Sequence, residues 1–342
     1  VQTCALPIYF VCTVDPGEAS YTVIKEALDC SVPLLFSEVS NYKITNEYNG
    51  KKIFFKDMDF EDITNDFLDI KVDSLKQGGS VAHVCISLAG YLGCNKIIFI
   101  GQDLAYTNNK YHAESAKANE KNSISKNENY LYVDDIYGEK VPTTMILDFY
   151  RKNIEQMIVA NEHITFINST EGGANIIGTL VMSLDESIQK YSGKVSIDKN
   201  IEYILDSESQ INKQTVIKNI IKILRSINSI EDICKKAIIY TSKMYKHYDK
   251  NLKVDINSTI MHLDKLDYKL DKELVNVKSI KKLYSPLVAR IMVSDEFKEI
   301  PDENEKQKGK RVALKSETIY KGLIEIVKQA KIELKKVEKK LV

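Results

Sequence analysis

The chain has 342 residues, and its 48 basic and 48 acidic side chains leave no net charge at pH 7. Hydrophobic residues make up 44% and charged residues 28%, which excludes a disordered or low-complexity chain. A balanced charge gives no global field that would attract nucleic acid or a membrane surface. The purely apolar runs are too short to cross a bilayer, and the length suits two domains better than one.

The charge is distributed unevenly along the chain. Residues 303–342 contain 12 Lys or Arg and 6 Asp or Glu, which leaves 36 basic and 42 acidic side chains for residues 1–302. Solvated helix faces are the first explanation of such a basic tail. The six cysteines, at positions 4, 12, 30, 85, 94 and 234, contain no metal-type Cys-x-x-Cys spacing. Cys85 and Cys94 lie in apolar surroundings, so we expect small core residues in a reducing, cytoplasmic setting.

The first eight residues are predicted not to belong to the protein. The sequence VQTCALPI translates the end of a common sequencing adapter, and the adapter's next base fits the first codon base of Tyr9. We therefore expect residues 1–8 to be a read artefact and exclude them from the fold prediction. The alternative is a genuine strand-forming start.

Residues 9–184 alternate between strand-like and helical segments. Strands are predicted at 9–16, 33–36, 51–55, 95–101 and 164–168, and helices at 18–29, 60–69, 80–92 and 143–161. The helix at 80–92 begins after two glycines and Ser80, and a polar loop is expected between residue 101 and Pro142. Buried strands that alternate with helices favour an α/β domain with a mainly parallel sheet covered on both faces.

Residues 185–342 change character and are expected to form an all-helical domain, such as a hairpin-like bundle. Residues 216–227 place apolar side chains on one helical stripe. The tail repeats apolar residues at steps of three and four, at Ile319, Leu323, Ile326, Ala330, Leu334, Val337 and Leu341. Pro286 is expected to interrupt or kink one long helix, and residues 294–303 to connect two helices. These stripes are more typical of core seams than of a partner groove.

The loop after the predicted strand 95–101 is the first candidate site, because ligands of open α/β sheets bind beyond the carboxyl ends of the strands. Gly101 lets the chain leave the sheet, and Asp103 could accept hydrogen bonds from sugar or ribose hydroxyls. Tyr106 and Tyr111 could donate to a phosphate that develops charge as a leaving group. His112 could act as a general base near neutral pH. Each residue also has a structural explanation, as a turn cap or an edge aromatic.

Two further segments could hold a ligand. Gly78, Gly79 and Ser80 precede a helix whose free N–H groups would attract phosphate, although the same tripeptide is an ordinary helix entry. His83, one turn further on, is expected to pack. The other segment follows the strand 164–168 and contains the polar and glycine residues Asn168, Glu171, Gly172 and Gly173. Asp15 stands at another strand end. The sequence contains no GxSxG, Walker or HExxH motif, so we predict no metal site.

Together, the segments GGSVAHVCISLAGYLGCNKIIFIGQDLAYTNNKYHA and INSTEGGANIIGT resemble the central domain of the motility accessory factor (Maf) glycosyltransferases. The resemblance covers residues 9–182 and is specific for the GQDLAY and EGGA segments. It implies a Rossmann-like, sialyltransferase-like core followed by helices. It also implies transfer of a nonulosonic acid of the pseudaminic, legionaminic or sialic type, from a CMP-activated donor to Ser or Thr of flagellin, without a cofactor.

The resemblance also assigns roles to individual residues. Gly101 and Asp103 match the Gly-x-Asp step of related sialyltransferases, and Tyr111 has the matching distance from the Asp, whereas Tyr106 is offset by one residue. Residues 78–80 correspond to a small-residue turn that meets the donor. The sialyltransferase histidine has no counterpart in residues 125–150, which leaves His112 and then Glu171 as candidate bases. A Gly-Pro-Ser-type nucleotide loop near the domain start is missing, so we expect an incomplete, N-terminally truncated enzyme.

Two other functions stay open at this point. A related branch of the same domain is a 6-hydroxymethylpterin pyrophosphokinase, which would require ATP, Mg²⁺ and a carboxylate cluster at the strand ends. Asp15, Asp103 and Glu171 are the carboxylates placed for that. In the third reading, the helical tail binds flagellin without catalysis. Homo-oligomerisation is also left open by the sequence.

Overall fold

The computed structural model describes residues 10–58, 60–68, 72–107, 130–191 and 211–341. The predicted adapter segment, residues 1–8, lies outside the described residues. The chain divides into two compact units, one of residues 1–60 with 72–208 and one of residues 61–71 with 209–342. Residues 61–71, which the sequence assigned to the α/β domain, thus belong by their contacts to the helical unit. None of the described helices is long and apolar enough to cross a membrane.

The first unit contains short parallel sheets. One sheet has the order β1 (Val11–Thr13), β2 (Leu34–Phe36) and β3 (Lys52–Phe54), and β4 (Lys56–Asp57) pairs with β5 (Ser74–Leu75). A further sheet contains β6 (Lys96–Phe99), with β9 (Thr165–Asn168) at its centre and β10 (Leu180–Val181) at the other edge. All of these pairings are parallel, which confirms the predicted α/β class.

Helices separate these strands. They are α1 (Glu18–Ile24), a 3-10 turn at Lys25–Ala27, α2 (Tyr42–Glu47), α4 (Val81–Tyr91), α5 (Met145–Val159) and α6 (Leu184–Tyr191), while α3 (Glu61–Phe67) belongs to the second unit. Ser80 caps α4 as predicted, because its hydroxyl accepts from the backbone N–H of Ala82 at 3.2 Å. Val84 of α4 packs with Leu35, whereas Ile86 packs with Phe166. The helix α4 therefore covers both large sheets.

The predicted polar loop before Pro142 is wrong in its last part, because residues 131–143 form an antiparallel hairpin. Its strands are β7 (Leu131–Asp134) and β8 (Lys140–Thr143). Asp135 organises the turn, since its carboxylate accepts from the backbone N–H groups of Tyr137 and Glu139 at 2.8 and 2.9 Å. The hairpin leaves most of β7 exposed, so its sequence lacks the apolar run that identifies a buried strand.

The second unit is built from four long helices together with α3. The long helices are α7 (Lys213–Lys250), α8 (Ile256–Asn276), α9 (Lys278–Val293) and α10 (Glu305–Leu341), and a 3-10 turn at Asp295–Phe297 precedes α10. Ion pairs show that α7 and α10 run antiparallel. Lys310 pairs with Asp249 at 2.5 Å near the end of α7, and Lys331 pairs with Glu231 at 3.6 Å further back. The predicted all-helical domain is therefore confirmed.

A seven-residue repeat explains why α7 and α10 stay together. Eight of the nine buried residues of α7 alternate steps of three and four, and Ile233 is the exception; the eight are Ile220, Ile223, Ile227, Ile230, Cys234, Ala237, Thr241 and Met244. Such a repeat keeps one apolar seam facing a partner helix along many turns. In α10 the predicted stripe is correct at Leu323, Ala330 and Leu334, which are in or against the core of the helical unit. It misses the buried Tyr320, Ile324 and Val327, and it is wrong at Val337, which is 43% exposed. The hydroxyl of Tyr320 donates to Asp267 of α8 at 2.5 Å.

The predicted break at Pro286 is wrong, because α9 continues through this residue. The interruption lies at Val277, whose φ of −130° and ψ of 80° separate α8 from α9. The start of α9 is held by α3, since Asp66 accepts from the backbone N–H of Ser279 at 2.6 Å and Lys278 pairs with Asp62 at 3.0 Å. A carboxylate at a helix N-terminus satisfies unpaired N–H groups. These contacts explain why residues 61–71 join the helical unit.

The α7 seam makes a stability prediction. Ile227 has no exposed surface and lies in the core cluster of the helical unit, so Ile227→Ala should lower the free energy of unfolding by about 2–5 kcal/mol. Ile221→Ala is the matched control, because Ile221 lies on the same helix and is 37% exposed. It should lower the free energy of unfolding by much less than Ile227→Ala does. Urea unfolding followed by helical circular dichroism measures both. Equal losses in the free energy of unfolding for the two variants would contradict the role of the buried seam.

Candidate functional site

The candidate site lies where β6 and β9 end. The two strands pair in parallel from Lys96 with Thr165 to Phe99 with Asn168, so their carboxyl ends meet at the same edge. The loop of residues 100–107 leaves from one strand and the loop of residues 169–174 from the other. Two segments that the sequence predicted separately as ligand-binding are therefore neighbours, as expected at the ligand edge of a parallel sheet.

Backbone hydrogen bonds hold these two loops against each other. The N–H of Ser169 donates to the carbonyl of Phe99 at 2.9 Å, and the N–H of Ala174 donates to the carbonyl of Asp103 at 2.7 Å. Between them, the N–H of Gln102 donates to the hydroxyl of Thr170 at 3.1 Å. We call residues 100–107 and 168–174 together the paired loops.

Glycines permit this close approach. Gly173 has a φ of 80°, and a Cβ atom at this position would overlap the backbone of Asp103. At Gly172, a Cβ would stand 2.9 Å from a methyl carbon of Thr107. Gly101 has a φ of 69° with open space around it, so its role is the turn itself. The glycines predicted to let backbone approach a ligand thus first let one loop approach the other.

Asp103 is the carboxylate at the centre of the paired loops. It is half-buried, and burial raises the pKa of its carboxyl group above the ordinary value. Among the described residues, no side chain or backbone N–H donates a hydrogen bond to this carboxylate. A desolvated carboxylate without a partner is unfavourable on its own, because folding removes water from it and supplies no replacement. The contacts with Gly173 and Ala174 fix the backbone of Asp103 and thereby the position of its carboxylate.

Asn168 ends β9, opposite Phe99 of β6, and also has an unused group. Its side chain is completely buried, and its amide oxygen accepts from the N–H of Thr170 at 3.1 Å. Because that N–H identifies the oxygen, the other terminal atom is the nitrogen Nδ2, which has no hydrogen-bond partner within the described residues. The hydroxyl of Thr107 in the facing loop is buried without a partner as well. Buried polar atoms are normally paired, so each of these two unpaired atoms is a candidate contact for a ligand.

The hairpin β7–β8 fixes the rest of the first loop. Thr143 donates its hydroxyl hydrogen to the carbonyl of Leu104 at 2.7 Å, and the N–H of Tyr106 donates to the carbonyl of Pro142 at 2.8 Å. Leu104 has a φ of 51°, a left-handed conformation that costs energy for a side chain with a Cβ. Backbone strain of this kind clusters at functional sites, and here the surrounding hydrogen bonds maintain it.

The predicted tyrosine and base residues have different outcomes. Tyr106 is only 4% exposed and packs edge-on against Tyr130, with ring centroids 5.6 Å apart, so its placement favours packing over contact with a leaving phosphate. Tyr111 and His112 lie outside the described residues. Glu171 is exposed at the tip of the second loop, between Thr170 and the two glycines. It is therefore the predicted base that the structure places on the paired loops.

The residues Gly78, Gly79 and Ser80 have clear structural roles. A Cβ on Gly78 would stand 2.6 Å from the ring of His83, and Gly79 has a φ of 89° close to Tyr150. His83 is completely buried, as expected for a packing residue, and burial lowers the pKa of its imidazole. One ring nitrogen lies 3.1 Å from the carbonyl oxygen of Tyr150. Ser80 already supplies a cap to α4, so phosphate binding at this helix start stays a prediction.

Asp15 is placed in a turn rather than on the paired loops. Its carboxylate accepts from the N–H of Gly17 at 2.7 Å, and its carbonyl accepts from the N–H of Asn41 at 3.1 Å. Asn41 in turn donates to the carbonyls of Pro16 and Gly17, each at 3.0 Å. These bonds are those of an Asx turn that connects β1 to the helices behind it. Within the described residues, no set of three or more His, Cys, Asp or Glu is grouped for a metal ion.

The sequence did not predict a group of ion pairs and hydrogen bonds around Arg151 that holds the chain after the second loop, which we call the brace. Arg151 of α5 forms partly buried ion pairs with Asp148 and Glu155 at 2.7 and 2.6 Å, and it donates to the carbonyl of Asn175 at 3.3 Å. Glu155 also accepts from the N–H of Ile177 at 2.9 Å. This brace anchors the chain just after the paired loops. The spacing of three and four residues between these charges on one predicted helix was the available signal.

The close contact at Gly173 makes a prediction. Gly173→Ala should separate the paired loops, because the new Cβ would overlap the backbone of Asp103, and should destabilise the first unit by about 2 kcal/mol or more through strain and overpacking. Gly138→Ala is the matched control, since Gly138 has a similar φ of 90° but no atom near its Cβ position. Thermal unfolding of both variants separates the contact from backbone strain alone. Equal melting temperatures would contradict the role of Gly173.

Comparisons with known proteins agree with this fold. Residues 9–109 match the family model of 6-hydroxymethylpterin diphosphokinase MptE-like proteins, which includes β6 and the first of the paired loops. A comparison with curated proteins finds no match. Among solved structures, the chain is similar to a Maf glycosyltransferase from Magnetospirillum magneticum AMB-1, with a TM-score of 0.51 and 14% sequence identity. The similarity covers 98% of this chain and 49% of the other, so the chain spans about half the length of that protein.

At 14% identity this similarity establishes the fold, and it extends over the helical unit as well as the α/β unit. The MptE-like domain is also the domain of the Maf proteins, so the resemblance found in the sequence is confirmed by two comparisons. Residues 9–109 are thus similar to the MptE-like family, and the chain shares its fold with a Maf glycosyltransferase.

Proposed function

We propose that the protein is an inverting glycosyltransferase that moves a nonulosonic acid from its CMP-activated donor to a Ser or Thr hydroxyl of flagellin. The observation that carries this proposal is the pair of unused groups at the paired loops, the carboxylate of Asp103 and the buried Nδ2 of Asn168. One is an acceptor and the other a donor, which is the combination needed to bind a polar ligand with both hydroxyl and carbonyl or phosphate oxygens. The shared fold with a Maf glycosyltransferase supports the reaction class.

Each group has a specific task in this proposal. Asp103 accepts hydrogen bonds from the ribose hydroxyls of CMP, which relieves the desolvation of its carboxylate. Asn168 donates through Nδ2 to an oxygen of the donor, and the hydroxyl of Thr107 supplies a further contact. The N-terminus of α4, which follows Gly78, Gly79 and Ser80, is proposed to hold the phosphate. The backbone contacts of the paired loops form before the ligand arrives, whereas side chains around Asn168 must move to give the ligand access to its buried Nδ2.

The transfer step follows from the chemistry of the donor. The acceptor hydroxyl attacks the anomeric carbon, the bond from that carbon to the phosphate oxygen breaks, and CMP leaves with the electron pair. A base removes the hydroxyl proton, for which His112 and then Glu171 remain the proposed residues. Donors that contact the departing phosphate stabilise the charge that develops on it. Because CMP leaves as a single phosphate group, hydrogen-bond donors can provide that stabilisation, and we propose no cofactor.

A second candidate is favoured by the family match at residues 9–109, whose description is that of a pterin diphosphokinase. In that reaction a pterin hydroxyl would attack the β-phosphate of ATP and AMP would leave, while a bound Mg²⁺ would neutralise charge on the phosphates. Asp103 would then bind the metal or the ribose of ATP. A third candidate function is non-catalytic: the helical unit would bind flagellin. The ligand that binds the paired loops distinguishes these three functions.

Calorimetric titration of CMP, with ATP plus Mg²⁺ as the comparison, tests the proposal. Asp103→Asn should raise the Kd for CMP about tenfold or more, since losing hydrogen bonds to a charged acceptor costs about 1.5–3 kcal/mol. Asp15→Asn is the matched control, because an amide oxygen can still accept from Gly17 and CMP affinity should stay unchanged.

Three outcomes would overturn the proposal. Binding of ATP with Mg²⁺ and no response to CMP would favour the diphosphokinase. A Kd for CMP that is unchanged by Asp103→Asn would show that CMP binds elsewhere than at the paired loops. Binding of neither nucleotide, together with binding of flagellin by the chain, would favour the non-catalytic module.

A further inference from the structure

A cavity of about 310 Å³ lies beside the C-terminal end of α4 in the first unit. Leu88 in the last turn of α4 and Leu92 at its C-cap line this cavity. Cys85 of the same helix, which the sequence predicted to be a small core residue, is exposed and does not line it. Among the described residues that line the cavity, none belongs to the paired loops, so it is separate from the candidate site. Its volume reaches the lower end of the range of about 300–1,000 Å³ that small-molecule sites occupy.

The side of the cavity that faces the strands is apolar and aromatic. Leu35 of β2, Phe55 between β3 and β4, and Leu75 of β5 line it, and all three side chains are buried. Phe10 before β1 and Phe54 of β3 add two half-buried aromatic rings. Because the core already fixes these side chains, a flat apolar ring could pack on them with little ordering cost.

One carboxylate stands among these apolar side chains. Asp73, immediately before β5, and Tyr91, the last residue of α4, both line the cavity and both are exposed. The hydroxyl of Tyr91 donates to Oδ2 of Asp73 at 2.7 Å, and the carbonyl of Asp73 accepts from the backbone N–H of Lys56 at 3.0 Å. These two bonds fix Asp73 between β4 and the end of α4. Its other oxygen, Oδ1, has no hydrogen-bond partner in the part of the chain that the structure describes.

The contrast between the apolar walls and this carboxylate indicates which ligand is complementary. Asp73 carries the one charge among the residues that line the cavity. An anionic ligand would meet a like charge there, and a neutral ligand would gain nothing from that charge. A cation could pair with Oδ1 of Asp73 while Tyr91 keeps Oδ2, and the apolar part of the ligand would be removed from water. The ring of Tyr91 offers the same cation an aromatic face.

We propose that this cavity binds a small organic cation, whose aromatic ring packs on the apolar side chains and whose protonated amine donates to Oδ1 of Asp73. Phe10 and Asp73 precede β1 and β5, so the cavity lies towards the amino ends of these strands. The paired loops lie at the carboxyl ends of β6 and β9. The proposed binding therefore does not depend on the transferase activity, and either idea can fail without the other.

Methyl NMR of the chain with isotope-labelled leucines, titrated with tryptamine, tests the proposal. Tryptamine joins an indole ring to a primary amine that is protonated at neutral pH. The methyl signals of Leu75 and Leu88 should shift with a Kd on the order of 1 mM, as expected for a ligand of this size. The signals of Leu180 in β10, which does not line the cavity, should stay unchanged. Neutral 3-methylindole should bind more weakly than tryptamine, and the anion indole-3-propionate more weakly still.

The charge of Asp73 is tested by Asp73→Asn, which keeps an oxygen that can accept from Tyr91. This variant should raise the Kd for tryptamine about threefold to tenfold and leave the Kd for 3-methylindole unchanged, because the amine alone uses the charge. Asp29→Asn is the matched control, since Asp29 is also exposed, accepts from the side chain of Asn49 at 2.5 Å and lies outside the lining. It should change neither Kd.

The proposal fails on any of three results. Methyl signals of Leu75 and Leu88 that do not shift at millimolar tryptamine would show that the cavity takes no such ligand. An equal Kd for tryptamine in the unmodified chain and in Asp73→Asn would show that Asp73 does not bind the amine. Tighter binding of indole-3-propionate than of tryptamine would show that the cavity does not select a cation.

Discussion

The parallel pairing of β6 with β9 is the constraint on which the candidate site depends. It places Phe99 opposite Asn168, so two loops that are far apart in the sequence leave the sheet side by side. Gly173 then lets the second loop contact the backbone of Asp103, and the Ala174 N–H locks that contact. The result is a half-buried carboxylate and an unpaired buried amide nitrogen on neighbouring segments whose backbones are joined by hydrogen bonds.

The two units of the chain are stabilised in different ways. The α/β unit has short strands and depends on α4, which presents Val84 to one cluster and Ile86 to another. The helical unit depends on the seven-residue repeat of α7 and recruits residues 61–71 through Asp66 and Asn219. The chain therefore enters the helical unit at residues 61–71, returns to the α/β unit, and enters the helical unit a second time at residue 209. Such non-local contacts form only after both parts of the chain are made.

Much of the fold could be predicted from the sequence because local sequence patterns determine many of its helices and strands. The apolar run before Gly101, the Ser80 cap and the helical stripe of α7 each determine an element almost alone. The hairpin β7–β8 and the break at Val277 could not be predicted, since exposed strands and uncapped breaks leave no apolar signal. In the candidate site, Asp103 could be predicted as a candidate because it follows a strand. The brace of Arg151, the burial of Tyr106 and the unused Nδ2 of Asn168 depend on contacts between distant segments.

The most direct test of the account is a crystal structure of the chain with CMP. The account predicts CMP bound at the paired loops, with ribose hydroxyls within hydrogen-bond distance of the Asp103 carboxylate and an oxygen of the ligand accepting from Nδ2 of Asn168. It also predicts that the contact between Gly173 and Asp103 is unchanged, since the loops are held before the ligand arrives. CMP bound elsewhere, with both groups still unpaired, would contradict the central claim.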